Sequence, residues 1–359
     1  MNKVILYGPL PPLYSYGGPV RSLNALRTIL IKELNLICIS PNYHLNRSKI
    51  EIHSTKDILY TSYPFFELIK KCLKNKSTTV WYNSFFELGF IFFLMLSKLG
   101  LCQIILSPRG QLAKEAIHSS NPKIKNLFIR IARLFYSRKI FFHATDKNEK
   151  IDIERFFNKS RIEVIPNISN QAYLENNSFK FNFLFFSRIS KKKGLIELLS
   201  SIDSSNEDIN LDVYGFKEDS NYWQSCEEII NRNKNISYCG ELENGDLTPL
   251  SNRYTFFILP TYNENYGHVI FEALSLGMIP ILSKGTTPFD QEINKIVGLN
   301  FNHNSKESTL FSIRKAKSLT EKDISIIRGN LKSYFLKLVD KQRSYEKQYI
   351  NFVKAIIKN

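Results

Sequence analysis

Short, largely apolar runs, most of them followed by a segment of helical spacing, limit the fold of this 359-residue chain more than anything else in it. A first series comprises Val4–Tyr7, Leu36–Ser40, Thr79–Tyr82, Ile104–Ser107, Ile140–Ala144 and Glu163–Ile165. A second begins at 182-NFLFFSR-188 and continues through 211-LDVYG-215, 235-NISYCG-240, 254-YTFFIL-259 and 279-IPIL-282. Runs that are apolar at successive positions suit strands buried on both faces, with the intervening helices as covers. The pattern predicts an α/β chain in which a helix-covered parallel sheet is built twice.

A chain of this length can bury two cores. The expected domains are 1–170 and 171–340, with 341–359 as a C-terminal helix packing back across the domain junction. Pro166 to Lys180, rich in Asn and Ser, is the expected linker. The most apolar stretch, 88-LGFIFFLML-96, has nine residues, against the roughly 20 a membrane span needs. It reads as a buried helix, with membrane-surface contact as the alternative. The opening 3-KVILYG-8 is a strand running into prolines and lacks the extended apolar core of a signal peptide. Cys38, Cys72, Cys102, Cys226 and Cys239 are odd in number and scattered, which suits the cytosol and suggests neither disulfides nor a structural metal.

Charge is divided unevenly. Residues 1–170 hold 25 Lys and Arg against 11 Asp and Glu, a balance of +14, whereas the rest of the +16 chain holds +2. The first half therefore calls for an anionic partner, either nucleic acid or an acidic membrane surface. Within it, 123-KIKNLFIRIARLFYSRK-139 places Ile124, Leu127, Phe128, Ile131, Leu134 and Phe135 on one broad face ringed by Lys125, Arg130, Arg133 and Arg138. With 66-FELIKKCLKNK-76 it suits a surface leaning on anionic lipid. Helices that cover the sheet and leave their cations solvated would have the same pattern.

The second half holds the densest chemistry, in 258-ILPTYNENYGHVIFEALSLGMIPIL-282. Glu264 falls in a loop beyond a strand's carboxyl end, and Glu272 on the helix that Gly267 opens. Open parallel sheets bind ligands at that edge, where helix-start N–H groups can hold a phosphate. Two carboxylates beside an anion site make sense for a ligand with hydroxyls at its ends and a diphosphate between, as in a nucleotide sugar. In 185-FFSRISKKKGLIELL-199, Arg188 and Lys193 follow a strand and could clamp that diphosphate, or be a solvated basic turn. In 8-GPLPPLYSYGGPVRSL-23, Gly17 and Gly18 precede Pro19 and a helix, allowing close approach of backbone to a ligand or simply turning the chain.

Taken in order, these pieces resemble the retaining glycosyltransferases of family four, of the bacterial surface-polysaccharide type, which have the GT-B fold. The matching residues are Gly17-Gly18, Ser187-Arg188 through Lys193-Gly194, Gly215, and the E-x7-E motif from Glu264 to Glu272, with Asn265-Tyr266-Gly267 inside it. The resemblance implies two Rossmann-like, doubly wound domains facing a central cleft. It implies that Arg188 and Lys193 bind the donor diphosphate and assist its departure, that Glu264 meets the transferred sugar, and that Glu272 meets the ribose. Backbone at Tyr266 and Gly267, with Gly17, Gly18, Asn265 and Gly215, would complete the donor site. No metal or cofactor is implied beyond the nucleotide-diphosphate sugar itself. Many members carry a histidine where this chain has Arg109, in 106-LSPRGQL-112. Arg109 would act electrostatically on donor or acceptor, or sit in a structural salt bridge. His118, His143 and His268 have no recognisable base partner and are read as structural.

The expected protein is thus a cytoplasmic transferase, peripheral on the inner face of the cytoplasmic membrane. It would move a sugar from a nucleotide donor to a lipid-linked oligosaccharide or a lipopolysaccharide, O-antigen or capsule precursor. Nucleic acid is not among the expected partners. The alternatives are a sugar-nucleotide epimerase of the same fold and a non-catalytic nucleic-acid-binding protein using the basic half.

Overall fold

In a computed structural model the chain divides into two compact units, Met1–Ile168 with Gln342–Asn359, and Ser169–Lys341. The structure describes residues 3–358 except 44–47, 76, 119–120, 159, 170, 206, 243–246 and 265, with backbone alone at 115.

The first unit alternates β1 (Lys3–Tyr7), α1 (Gly18–Leu30), β2 (Leu36–Pro41), β3 (Ile58–Thr61), α2 (Pro64–Lys74), β4 (Thr78–Tyr82), α3 (Leu88–Lys98) and β5 (Gln103–Leu106). It continues with α4 (Lys114–His118), α5 (Pro122–Phe135), β6 (Ile140–Ala144), α6 (Lys147–Phe156) and β7 (Arg161–Val164). Its strands form one parallel sheet in the order β3-β2-β1-β4-β5-β6-β7. Strands β4 and β6 are buried at every position, Thr78, Thr79 and His143 included, as strands covered on both faces must be. The edge strand β3 escapes sequence pattern because it is half exposed and follows a polar stretch.

The second unit runs β8 (Asn182–Phe186), α7 (Leu195–Asp203), β9 (Asn210–Tyr214), α8 (Ser220–Arg232), β10 (Ile236–Tyr238), β11 (Phe256–Leu259), α9 (His268–Ser275), β12 (Ile279–Leu282), α10 (Asp290–Val297) and α11 (Lys306–Lys317). Its parallel sheet has the order β10-β9-β8-β11-β12. Both sheets therefore reverse winding beside their first strand, at β1/β4 and at β8/β11. In doubly wound sheets that reversal opens a crevice at the strands' carboxyl ends.

Three stretches carry detail that the sequence pattern did not show. The Asn-rich stretch before β8 is extended but packed: buried Asn176 donates to Tyr254 O at 2.9 Å and Leu276 O at 3.1 Å. Buried Arg328 in turn donates to Asn176 Oδ1 and to Gly277 O, both at 3.1 Å. Backbone groups with no sheet partner are satisfied here by side-chain amides and a guanidinium. The C-terminal residues belong to a longer helix, α12, which runs from Glu321 to Lys358. Ile324, Leu331 and Phe335 join the core of the second unit, whereas Tyr349, Val353 and Ile356 join Val4, Leu6 and Trp81 in a core of the first. Finally, α5 ends at Phe135, and its broad apolar face is only partly covered. Phe128, Ile129 and Ala132 are buried, while Ile124, Leu127 and Leu134 are exposed.

Candidate functional site

At the winding reversal of the second unit, the loop after β8 and the loop after β11 are tied together. Tyr262 N and Thr261 Oγ1 donate to Lys192 O at 3.0 and 3.2 Å. The loops approach so closely that a Cβ on Gly194 would lie 2.1 Å from Pro260 O, and Gly194 has φ +68°. A side chain is excluded there both by space and by backbone conformation.

The contact brings together two of the residues singled out from sequence. Lys193 Nζ donates to Glu264 Oε1, and Thr261 Oγ1 donates to the same oxygen at 3.1 Å. Both side chains of the ion pair are nearly enclosed, at 9% and 11% exposure. Burial holds the Lys193 ammonium below its ordinary value of 10.5; Glu264 opposes that shift, and Arg188 and Lys192 add to it. Backbone fixes Glu264 as well, its N–H donating to Thr286 O at 2.7 Å.

Arg188 lies at the same strand exit but pairs with Glu218 at 2.7 Å, in a half-open setting. Each cation expected to meet a ligand therefore already has a carboxylate partner. An arriving anion would exchange with Glu218 at little cost, since a solvent-reachable pair contributes roughly 0–1 kcal/mol. Glu218 was not apparent from sequence, where it looks like one more polar loop residue after β9.

Gly267 caps α9 in the left-handed region at φ +76°. The first-turn N–H groups of a helix lack acceptors within it, and here they open at the edge that carries Glu264. Tyr266 packs tilted against His268 and edge-on to Phe289, at ring separations of 4.6 and 5.9 Å. Glu272 is buried in α9 at 2% exposure. Gly215 has a packing reason of its own: a Cβ there would meet Ser187 O at 1.7 Å. Asn265 lies outside the described residues.

The first unit has its own arrangement at β1/β4. Gly17, with φ +69° and ψ −134°, caps α1 ahead of Gly18 in a conformation open to glycine alone. Arg109 is not in a salt bridge among the described residues. Its guanidinium donates to Asn83 Oδ1 at 2.8 and 3.2 Å and to Asn167 Oδ1 at 2.5 Å. It also holds φ +55°, unusual for a residue with a Cβ. His143 is fully enclosed and structural: Nδ1 meets Ser107 Oγ at 2.9 Å, and Nε2 meets Ile165 O at 2.8 Å and Tyr349 Oη at 3.0 Å. Among the described residues no group of three or more His, Cys, Asp or Glu is placed to hold a metal ion.

Comparison with known proteins bears on both units. Residues 168–330 match the family model described as Glycosyl transferases group 1. Sucrose-phosphate synthase from Thermosynechococcus elongatus is similar in structure, with a TM-score of 0.73 at 13% identity, covering 100% of both chains. Anabaena HepE in complex with UDP and glucose superposes with a TM-score of 0.71 at 12% identity, covering 98% of this chain and 99% of that one. A glycosyltransferase from Rickettsia africae gives 0.65 at 14% identity, covering 100% and 99%. No curated protein matches in sequence. Likeness of this extent shows the fold, GT-B with two Rossmann-like α/β domains, and the matched family model places the pattern of group 1 glycosyltransferases in the second unit.

Proposed function

We propose that this protein is a retaining glycosyltransferase of family four that transfers a sugar from a nucleotide-diphosphate donor. The supporting observation is the enclosed Lys193–Glu264 pair at the β8/β11 reversal, inside the segment matched by the glycosyltransferase model. The similar HepE structure, which holds UDP and glucose, favours a nucleoside diphosphate as the carrier.

The donor diphosphate takes Lys193 and Arg188 from their carboxylates, with the α9 N-terminus and backbone at Tyr266 and Gly267 completing its cradle. Glu264, released from Lys193, turns its oxygens to hydroxyls of the transferred sugar, and Glu272 serves the ribose. The bond between anomeric carbon and diphosphate oxygen breaks with both electrons leaving on the diphosphate, and an acceptor hydroxyl oxygen bonds that carbon on the same face, its proton passing to the departing diphosphate. The two cations stabilise that charge while the sugar passes through an oxocarbenium-like state. This role for the side chains and helix end makes a metal unnecessary.

The acceptor we propose is a lipid-linked saccharide of bacterial surface-polysaccharide assembly, met at the cytoplasmic face of the membrane. The surface of the first unit supports this. Phe65 of α2 packs on Phe92 and Phe93 of α3 at 5.6 Å, and Lys98 of α3 donates to Leu134 O of α5 at 2.9 Å. These neighbouring helices, with Leu99 at the C-cap of α3, expose Phe66, Leu73, Ile124, Leu127 and Leu134. Lys70, Lys74, Lys98, Arg130 and Arg133 are exposed among them. Lys76, grouped with this face from sequence, lies outside the described residues. Apolar side chains interleaved with cations suit the boundary of an anionic bilayer. No helix among the described residues is long and apolar enough to cross a membrane.

The test is incubation of purified protein with a panel of nucleotide sugars and polyprenyl-diphosphate saccharides, with and without chelator. Transfer with retained anomeric configuration is expected, unchanged by chelator. Absence of both transfer and donor cleavage across the panel would refute the proposal.

A further inference from the structure

The winding reversal of the first unit carries a carboxylate that sequence pattern did not distinguish. Tyr7 ends β1 and Tyr82 ends β4, and both phenols converge on Glu87. Tyr82 Oη donates to Glu87 Oε2 at 2.8 Å and Tyr7 Oη to the same oxygen at 3.1 Å. The two tyrosine rings lie 4.7 Å apart and are buried. Burial and the neighbouring carboxylate raise both tyrosines well above their ordinary value, so both remain donors. Oε1 of Glu87 has no hydrogen-bonding partner among the described residues, nor is Glu87 in any ion pair among them.

Glu87 stands at the N-cap of α3, yet its side chain makes no capping bond. Its carboxylate is turned instead to the reversal point. The loop that carries it is held from two sides. Arg109 binds Asn83, whose amide donates to Tyr7 O at 3.2 Å. Gln111 Oε1 accepts from Phe85 N at 2.5 Å and Phe86 N at 3.2 Å. A carboxylate fixed by one oxygen, on a braced loop, at the ligand edge of a doubly wound sheet, is preorganised to accept a hydroxyl. It would repel a phosphate placed at the same point.

Resting on the transferase reading, we propose that Glu87 Oε1 accepts a hydroxyl of the acceptor saccharide. The group it meets is a neutral polyol, and the anionic part of the acceptor lies elsewhere. Glu87→Gln is the informative variant. The amide oxygen can keep both tyrosine contacts, while the outward atom becomes a donor.

The experiment uses the full-length protein, a nucleotide sugar that it cleaves, and a panel of octyl glycosides as minimal neutral acceptors. Glu87→Gln should raise the acceptor KM roughly tenfold or more, as loss of a charge-assisted hydrogen bond predicts. Melting temperature, donor KM and acceptor-independent donor cleavage should stay as in the unaltered protein. Tyr7→Phe with Tyr82→Phe should produce a smaller rise in the same constant. An unchanged acceptor KM in Glu87→Gln overturns the inference, as does an unaltered protein that cleaves donor but responds to no octyl glycoside. A protein that neither binds nor cleaves any nucleotide sugar overturns the transferase reading instead.

Discussion

Gly194→Ala examines how the two loops of the second unit depend on one another. The added Cβ would start 2.1 Å from Pro260 O, whereas real Cβ atoms essentially never come within 3.0 Å of a neighbour. One loop must therefore retreat by about 0.9 Å, in a region without slack. The left-handed φ adds roughly 1 kcal/mol for any residue with a Cβ. Together these should destabilise the unit by roughly 2–3 kcal/mol, or about 4–12 °C in melting temperature for a domain of this size. The displaced segment joins Lys193 to Glu264, so donor handling should suffer more than stability does. A shift near 1 Å at a reacting centre lowers rate by about two orders of magnitude. Thermal unfolding and donor cleavage, measured on the same preparation, give both numbers. If Gly194→Ala melts and turns over as the parent does, the close approach is not what holds the pair in place.

Lys193→Met leaves the Glu264 carboxylate enclosed without its cation and should cost about 3–5 kcal/mol in urea unfolding; adding Glu264→Gln should recover part of it. Because Lys193 titrates below 10.5 when unliganded and a bound diphosphate would favour its charged form, donor affinity should decline with rising pH from a midpoint below that value, measurable by calorimetry. Burial, reinforced by Arg109, pushes His143 down to about 3 from 6.5. The unfolded chain then binds the extra proton first, so stability is complete above 6.5 and falls as pH drops toward 3, by up to about 1.4 kcal/mol per unit. Urea unfolding from about pH 7 to about pH 4 should show that slope, flattened in His143→Gln. Ile124→Glu with Leu127→Glu should weaken sedimentation with anionic phospholipid vesicles without moving the melting temperature.

What could be read without the structure divides by physical origin. Strand β12 is an unbroken apolar run and β6 is one but for His143; both were legible with their boundaries, as was the double sheet built from such strands. The placement of Gly194, Lys193 and Glu264 beyond strand ends was legible because loop, glycine and helix occur in fixed order there. Which carboxylate each cation meets was not, because Lys193 reaches Glu264 and Arg188 reaches Glu218 through contacts 71 and 30 residues apart in sequence. Glu87 was hidden for a related reason. Before an apolar run it reads as a helix boundary, and its setting is made by two tyrosines delivered by separate strands. Arg109 stood out by its motif, but the amides that hold it come from Asn83 and Asn167, which have no pattern of their own.

The passage of α12 from one core to the other has a consequence for the order of biosynthesis. Trp81 is covered by Tyr349 and Phe352, at ring separations of 5.9 and 6.1 Å, and Val353 and Ile356 seal the same core. A ribosome makes residues 1–168 first, yet that portion must wait with this apolar side open while 169–341 are added. The later-made unit is thus the first able to close, reversing the usual amino-to-carboxyl sequence of domain completion. For the same reason residues 1–168 expressed alone would be a fragment with a hole in its core, whereas 169–341 contains every strand of its own sheet.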